Sequence, residues 1–196
     1  MKAFANLSER MRPEMSPWTG SGAQAAVLVA LSDEPSPRVL LGRRAQHLRL
    51  HPGEIAFPGG KREPEDATPW STAVREAWEE VGIQSKWVTP LGQLEPMRTK
   101  TGFEVYPCIA KVPAGLDWIV DPGEFDSVFS PPLNHFADEQ FYWLRRMQHE
   151  GYIRMVPHYR VDQDEVWGVT AGILALLANV ALDAGLDLKR DWREEP

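Results

Sequence analysis

A glycine pair followed by a short amphipathic helix is the feature that most constrains how this chain can fold. Thr68 and Pro69 predict the N-cap and the first residue of that helix. Gly82 stands where a left-handed C-terminal cap would end it. One face of the helix is apolar, and we expect its residues to be buried: Val74, Ala77, Trp78 and Val81. Residues 59–83 therefore predict a glycine turn, a polar loop and a helix packed against a core.

The opposite face of the predicted helix carries three glutamates. Glu76, Glu79 and Glu80 fall within an arc of roughly 100°. Like charges at these spacings repel, and carboxylates in a last helical turn meet the negative end of the helix dipole. Such a cluster on a helix is usually a solvated surface. A divalent cation would turn the repulsion into coordination, because magnesium selects hard oxygen ligands, and Arg75 could neutralise or orient one carboxylate.

The order of these residues resembles the signature of the Nudix hydrolases. That signature is a glycine, five residues, an acid, seven residues, then Arg-Glu-apolar-any-Glu-Glu-any-Gly-apolar. Gly60 and residues 75–83 match it. Asp66 stands where most members have Glu, and eight residues rather than seven separate it from Arg75. The extra residue precedes the helix and leaves its carboxylate spacing intact, but the role of Asp66 stays open.

The resemblance implies an α/β protein with the Nudix α/β/α sandwich, in which a mixed β-sheet lies between helices. It also implies a metal-dependent hydrolase of a pyrophosphate linkage in a nucleoside diphosphate derivative. The implied cofactor is Mg2+ or Mn2+, and the implied metal ligands are Glu76, Glu79, Glu80 and Gly60. The implied catalytic residues are Glu76, Glu80 and Arg75, with Glu76 nominated as the base. A Nudix module that binds a nucleotide metabolite without hydrolysing it is the alternative from another class.

A second stretch, residues 40–60, resembles the coenzyme A pyrophosphatase branch of the same family. The matching positions are Arg43, Leu48-Arg49, His51, Gly53-Glu54 and Phe57-Pro58-Gly59-Gly60. Gly42 and Arg44 depart from the Thr and Ser that are usual there. This resemblance implies cleavage of coenzyme A or an acyl-CoA to 3',5'-ADP and (acyl-)4'-phosphopantetheine. The alternative substrates are ADP-ribose, NADH or another nucleoside diphosphate derivative.

Several cations near this stretch are candidates for substrate contact. An arginine suits phosphate because its planar fork can donate two hydrogen bonds. The candidates are Arg43, Arg44, Arg49, His51 and Lys100, and ordinary solvated side chains are the competing explanation. Glu54 and Glu124 could each add a carboxylate to the metal site or merely be a strand-edge and a turn charge.

The remaining pattern predicts one domain. We expect a strand at 23–31 buried on both faces, a hairpin partner at 38–42 and a half-buried strand within 102–112. Two strands around 150–151 and a long helix after Asp164 complete the pattern. The predicted boundaries are an N-terminal lead-in over 1–22, a single Nudix domain over 23–186 and a charged C-terminal tail over 187–196.

Composition bounds the partners of the chain. A formal net charge of -7 argues against nucleic acid and anionic membranes as binding partners. The single cysteine, Cys108, excludes an internal disulfide and lies in an apolar run, so we expect a core thiol. No apolar stretch approaches 18 residues, which predicts a cytoplasmic protein. The expected partner is a small nucleotide-containing diphosphate, and a homodimer is one assembly that the sequence allows.

Overall fold

The computed structural model describes residues 2–11, 17–20, 22–99, 101–149, 152–188 and 193–194. Its helices are α1 (Lys2–Arg10), α2 (Pro69–Val81) and α3 (Gly168–Leu182). Its strands are β1 (Gln24–Ser32), β2 (Leu41–Arg44), β3 (Ile55–Ala56), β4 (Gly59–Lys61), β5 (Thr89–Gln93), β6 (Met97–Arg98), β7 (Glu104–Val112), β8 (Phe125–Phe129), β9 (Tyr142–His149), β10 (Tyr152–Val161), β11 (Asp164–Trp167) and β12 (Arg193–Glu194). Short 3-10 turns cover Ser85–Trp87, Leu133–Ala137 and Glu139–Phe141.

A mixed sheet forms the centre of the molecule. Strand β1 pairs in parallel with β7 along its whole length and antiparallel with β4, where Ala26 lies opposite Gly60. Strands β5 and β6 pair antiparallel with β7. Strand β1 is buried on both faces, as the sequence predicts. Strand β7 is also buried on both faces, so the prediction of a half-buried strand there is wrong, because helices cover both sides of this sheet.

Two smaller antiparallel sheets complete the strands. Strand β2 pairs with β3 and β8, and β10 pairs with β9, β11 and β12. The predicted hairpin of 38–42 with the first strand holds only at its base, through the bridge between Leu31 and Val39. Beyond that bridge β2 leaves β1 and pairs with β8. The predicted strands around 150–151 are confirmed as β9 and β10.

Alternate residues of β1 feed two separate cores. Val29 and Leu31 pack with α1 and α3 in one core, which we call the α3 core. Ala26, Leu28 and Ala30 pack with α2 in the other, which we call the α2 core. The mixed sheet therefore lies between α2 on one side and α1 with α3 on the other. This arrangement confirms the predicted α/β/α sandwich.

The N-terminal helix is part of the α3 core. Ala3 and Leu7 of α1 are buried there, and the Asn6 amide donates a 2.9 Å hydrogen bond to the carbonyl of Ala181 on α3. Helix α3 begins at Gly168, so residues 164–167, expected to lead into it, form strand β11. The domain boundaries themselves stay a prediction. Among the described residues, no helix combines the length and apolarity needed to span a membrane.

Candidate metal and active site

Helix α2 is fixed at both ends by the residues that the sequence singles out. The Thr68 hydroxyl accepts from the backbone N–H of Ser71 at 3.2 Å, and the Ser71 hydroxyl accepts from the N–H of Thr68 at 2.9 Å. This reciprocal pair is a capping box with Pro69 as the first helical residue. At the other end Gly82 is left-handed, with φ 75°. The predicted bounds and caps of the helix are confirmed.

The buried face of α2 is rotated relative to the prediction. Ala77 and Val81 are buried and Val74 is half-buried, but the side chain of Trp78 is 50% exposed, so its predicted burial is wrong. Glu80, placed on the opposite face, is only 4% exposed. Small residues at 73 and 77 let the helix approach β1 closely, and Glu80 follows Ala77 by three positions on that same face. One of the three predicted acidic residues is therefore inside the protein.

Glu80 is held against the glycine pair. Its Oε2 atom accepts a 2.8 Å hydrogen bond from the backbone N–H of Gly59. A Cβ on Gly59 would overlap the main chain of Ala26 and Val27 on β1, so only glycine permits this approach. Burial raises the pKa of Glu80 to about 8, the Gly59 hydrogen bond opposes that shift, and the charges of Glu76 and Glu124 add to it.

Glu76 lies beside the second glycine of the pair. Its side chain is mostly buried, and a Cβ on Gly60 would overlap its carboxylate. Burial raises the pKa of Glu76, which Arg75 counteracts and which Glu79 and Glu124 reinforce. Glycine at position 60 therefore provides the space that the Glu76 carboxylate occupies.

The guanidinium of Arg75 contacts four acceptors beside the glutamates of α2. Its guanidinium lies 2.9 Å from Asp66, 3.0 Å from Glu76 and 3.2 Å from Glu79. It also donates to the carbonyl of Lys61 at 3.2 Å. The hydrogen bond with Asp66 is the largest of the influences that raise the pKa of Arg75. Arg75 therefore stays charged and fixes the position of Glu76, as the sequence suggests for this residue.

Asp66 is a buried carboxylate whose Oδ2 atom accepts three hydrogen bonds. It accepts hydrogen bonds from the hydroxyl of Thr72 at 2.7 Å, from the backbone N–H of Glu63 at 3.0 Å and from Arg75. Burial favours a higher pKa for Asp66, but these donors outweigh it and hold the pKa below its ordinary value. Asp66 thus positions Arg75 in the folded protein, which gives a role to a residue that the sequence left open.

The other acids divide between the cluster and its rim. Glu79 is exposed and contacts Arg75. Glu124 directly precedes β8, and its charge raises the pKa values of both Glu76 and Glu80. Within the described ranges, no three His, Cys, Asp or Glu side chains already stand as a complete metal-ligand group. The metal ligands named from the sequence remain a prediction.

Main-chain hydrogen bonds connect Glu124 to the end of α2. The backbone N–H of Asp121 donates to the carbonyl of Glu80 at 2.8 Å, and that of Ile119 donates to the carbonyl of Val81 at 3.1 Å. The N–H of Glu124 then donates to the carbonyl of Asp121 at 3.0 Å. The segment thus satisfies terminal carbonyls of α2 and brings a distant acid to the cluster. From the sequence, Glu124 could be either a metal-site carboxylate or a turn charge. Its position near the acidic cluster depends on pairing between strands about 80 residues apart, which the sequence does not reveal.

The candidate substrate residues lie in different places. Arg44 is mostly buried, lies 3.8 Å from Glu124, and its Nε atom is buried without a hydrogen-bond partner among the described residues. Arg43 points its guanidinium to Asp164 of β11 at 2.6 Å. Arg49 is exposed, and Lys100 lies outside the described residues. Of the arginine candidates, Arg44 is the one whose charge reaches the acidic cluster, where it acts against the raised pKa of Glu80.

His51 and Glu54 form a local pair in the loop between β2 and β3. The Nδ1 atom of His51 lies 3.0 Å from Glu54 Oε2, and His51 has a left-handed backbone with φ 56°. His51 and Glu54 thus contact each other within the loop, and their proposed roles as a substrate contact and a metal carboxylate remain predictions. Elsewhere, Cys108 is fully buried and its burial raises the pKa of the thiol, which confirms a core cysteine.

Comparisons with known proteins agree with this geometry. The family model described as NUDIX domain matches residues 22–147. A Yersinia enterocolitica protein named "Uncharacterized Nudix hydrolase NudL" is 35% identical over 179 residues, covering 91% of this chain and 91% of that protein. A Yersinia pestis protein of the same name is 37% identical over 161 residues, covering 82% of this chain and 81% of that protein.

Solved structures show the same fold at low sequence identity. A MutT/nudix family protein from Enterococcus faecalis gives a TM-score of 0.52 at 16% identity, covering 87% of this chain and 66% of that one. A NUDIX hydrolase from Alicyclobacillus acidocaldarius gives a TM-score of 0.50 at 20% identity, covering 62% and 84%. With a family model that spans most of the chain and relatives that match it nearly end to end, this protein belongs to the Nudix family and is a Nudix hydrolase.

Proposed function

We propose that this enzyme hydrolyses the pyrophosphate linkage of a nucleoside diphosphate derivative, with coenzyme A or an acyl-CoA as its preferred substrate. The products would be 3',5'-ADP and 4'-phosphopantetheine or its acylated form. The observation that carries the proposal is the buried carboxylate of Glu80, held by Gly59 and surrounded by the charges of Glu76 and Glu124. A protein that needed only a stable fold would gain nothing from this concentration of like charge.

The donor set fits a hard divalent cation such as Mg2+ or Mn2+. Carboxylate oxygens are the ligands that such ions prefer. Burial and like-charged neighbours raise the pKa values of Glu76 and Glu80, so the two side chains are ionised together most readily when a cation lies beside them. The residues that would hold the ion are Glu76, Glu80 and Glu124 with the carbonyl of Gly60, and Glu79 is a further candidate ligand. When bound, the ion screens the phosphate oxygens and lowers the pKa of a coordinated water.

The chain itself supplies the proton acceptor and its alignment. We assign Glu76 as the base that takes a proton from the attacking water, since its mostly buried carboxylate lies directly beside the glycine pair. Arg75 holds Glu76 Oε1 at 3.0 Å, and Asp66 holds Arg75. The missing side chain at Gly60 lets the Glu76 carboxylate lie directly against the main chain of the glycine pair. Arg44 supplies a nearby guanidinium that can face an anionic substrate.

The preference for coenzyme A rests on the residues of the β2–β3 stretch. Arg43, Arg49, His51 and Lys100 stay proposed substrate contacts together with Arg44. The departure at Gly42 has a structural reason, because a Cβ there would overlap the ring of Phe125 on the neighbouring strand. A threonine at this position would require the Phe125 ring to move, so Gly42 remains a departure from the pattern of the coenzyme A branch.

A substrate panel tests the proposal. Coenzyme A, acetyl-CoA, ADP-ribose and NADH would be compared at equal Mg2+, with the products identified by mass spectrometry. We expect the highest kcat/KM for coenzyme A or its acyl form. If these substrates ranked last, the coenzyme A assignment would be wrong, and binding without any turnover would favour a non-catalytic module. The same panel would be run on Glu80→Gln, which removes the carboxylate proposed to act in the reaction. Glu65→Gln, at an exposed loop acid, is its matched control.

Two further expectations belong to this proposal. A cytoplasmic location would be tested by cell fractionation, and a homodimer by light scattering on the purified chain. A monomer at micromolar concentration would contradict the second expectation.

A further inference from the structure

Three aromatic rings form a ladder across β9, β10 and β11. His158 of β10 lies opposite Trp143 of β9 on one side and opposite Trp167 of β11 on the other. The ring centroids of Trp143 and His158 are 5.5 Å apart with an interplanar angle of 18°. Those of His158 and Trp167 are 6.1 Å apart at 14°. The three rings are therefore nearly parallel, and we call them the aromatic ladder.

The ladder belongs to neither hydrophobic core. Tyr159 and Val166, next in sequence to His158 and Trp167, are buried in the α3 core. Because successive strand residues point to opposite faces, the ladder lies on the other face of this sheet. Trp143 and Trp167 pack against neither core, and Trp167 is 37% exposed. Two tryptophans on such a face are not explained by core packing, and exposed aromatic surface marks binding sites.

The centre of the ladder is polar and incompletely satisfied. His158 is only 1% exposed, and its Nδ1 atom lies 2.7 Å from Glu165. Its Nε2 atom is buried and has no hydrogen-bond partner among the described residues. An apolar side chain would serve a purely structural ladder better, because an unsatisfied buried nitrogen is destabilising.

The same face is locally cationic in a chain of net charge -7. Arg145 shares the parity of Trp143 on β9, and Arg154 and Arg160 share that of His158 on β10. Glu165 is the acid of β11 on this face, and Arg145 lies 3.1 Å from it. Parallel rings beside guanidinium groups match a ligand that combines an aromatic base with phosphate.

The outer strand of the ladder, β11, lies next to the stretch that leads to the glycine pair. Strand β11 lies beside β3, and Asp164 of β11 bonds Arg43 of β2. Ile55 and Val166 share the α3 core, whereas Ala56 packs against the α2 core. By strand alternation Trp167 turns to the same side as Ala56. The outer strand of the ladder therefore lies beside β3, which ends three residues before Gly59.

We propose that the aromatic ladder stacks the nucleobase of the substrate on Trp167 while the pyrophosphate lies at the acidic cluster. The proposal rests on the proposed function and names the residue that recognises the nucleotide half of the substrate. His158 stacks on one face of the Trp167 ring, and Trp143 stacks on the far side of His158. The arginines of this face attract the phosphate that the nucleotide carries.

Steady-state kinetics of Trp167→Leu test the proposal. We expect KM for the preferred substrate to rise about tenfold, in the range that stacking of one base on an aromatic side chain produces, with kcat within about twofold. Trp167→Phe should retain most of the affinity, because it keeps an aromatic ring. Trp167 caps α3 only through its main chain, so the substitutions leave the helix start intact, and circular dichroism would verify folding. An unchanged KM for Trp167→Leu would overturn the proposal.

A binding measurement separates this proposal from the proposed function. ADP would be titrated in Mg2+ into Glu80→Gln, monitored by tryptophan fluorescence, with Trp167→Leu or the distant Trp87→Leu added to that background. We expect Kd for ADP to rise about tenfold with Trp167→Leu and to stay unchanged with Trp87→Leu. Inorganic pyrophosphate should bind all three equally. If the wild type hydrolysed no substrate of the panel, the proposed function would fail, while this titration would still test the ladder.

Two outcomes of the titration would contradict the ladder proposal. Equal ADP affinity in both double variants would show that the base does not stack on Trp167. Tighter binding of a short single-stranded RNA than of ADP would assign the face to nucleic acid rather than to the substrate.

Discussion

Asp66 and Glu80 are both buried carboxylates next to α2, yet their environments push their pKa values in opposite directions. Asp66, 5% exposed, is surrounded by donors from Glu63, Thr72 and Arg75, and its pKa falls. Glu80, 4% exposed, has one donor from Gly59 and two acidic neighbours, and its pKa rises to about 8. Two carboxylates with similarly small exposed surfaces therefore shift in opposite directions. Donors outweigh burial at Asp66, whereas stronger desolvation and two like charges outweigh the single donor at Glu80.

The opposite pKa shifts distinguish a carboxylate that supports the structure of the site from one that is available to bind a ligand. A carboxylate with all its hydrogen bonds made inside the protein has little capacity left for a ligand. A carboxylate whose charge is uncompensated can gain from a cation. We therefore assign Asp66 to the support of Arg75, and Glu80 to the reaction.

The largest expected effect is on turnover by Glu80→Gln. The substitution keeps the side-chain shape but removes the charge that would hold the metal ion. We expect kcat/KM to fall by on the order of 10³, since the ion supplies several kcal/mol of transition-state stabilisation. Initial rates at saturating Mg2+ measure the effect, and Glu65→Gln should match the wild type. Turnover within tenfold of the wild type would refute the assigned role.

The stability of the metal-free protein should depend on pH through Glu80. Its pKa is raised from 4.5 in the unfolded chain to about 8 in the folded one. Its contribution to stability is fully present below about pH 4.5 and is lost as pH rises through about 8. We expect the free energy of unfolding in EDTA to decline by a few kcal/mol over that window. Urea unfolding at a series of pH values would show it.

Two comparisons sharpen that measurement. Glu80→Gln should flatten the decline, and saturating Mg2+ should reverse much of it in the wild type. Asp66 has the opposite sign, because its pKa is lowered: its contribution is present above about pH 4 and is lost as pH falls through its folded value. A pH-independent stability in EDTA would contradict the uncompensated charge of Glu80.

Asp66→Asn should mainly destabilise the fold. It removes one partner of a buried ion pair and disturbs the hydrogen bonds from Thr72 and Glu63, which we expect to lower the unfolding free energy by roughly 2–4 kcal/mol. Activity should fall less than in Glu80→Gln, because Arg75 keeps its bond to Glu76. Glu63→Gln is the control, since Glu63 is exposed and 3.8 Å from Arg75. Equal stability of the two variants would remove the contrast.

Glu79→Gln should have the smallest effect. Glu79 is exposed, and Arg75 already engages its carboxylate at 3.2 Å. We expect kcat/KM to fall by about tenfold and stability to change by less than about 1 kcal/mol, as for exposed ion pairs. A loss as large as that of Glu80→Gln would show that Glu79 leaves Arg75 and binds the metal ion directly.

Local signals were sufficient for the helix and its caps. Thr68, Pro69 and Gly82 define α2 because each acts through backbone geometry within a few residues. The buried face of α2 could not be predicted from local signals in the same way. Apolarity favoured Trp78, but the close approach to β1 buries Glu80 and leaves Trp78 in solvent. The sequence cannot show this, since the rotation depends on which strand the helix meets.

Long-range pairings account for the remaining differences. Glu124 reaches the cluster because β2 and β8 pair, and Arg43 reaches Asp164 because β11 lies beside β3. The aromatic ladder likewise needs three strands in register, so its members appear in the sequence as scattered aromatics. Sheet register is set by the whole fold rather than by neighbouring residues.

The main-chain link from the end of α2 to Asp121 has a consequence for engineering. Because peptide groups rather than side chains join Glu80 to the segment before Glu124, the spacing of these two acids is insensitive to most point substitutions. Inserting or deleting a single residue between 116 and 123 would instead move one acid against the other. If Glu80 and Glu124 both hold the ion, as we propose, loop grafting in this region would change their spacing and with it the preference for one metal ion over another.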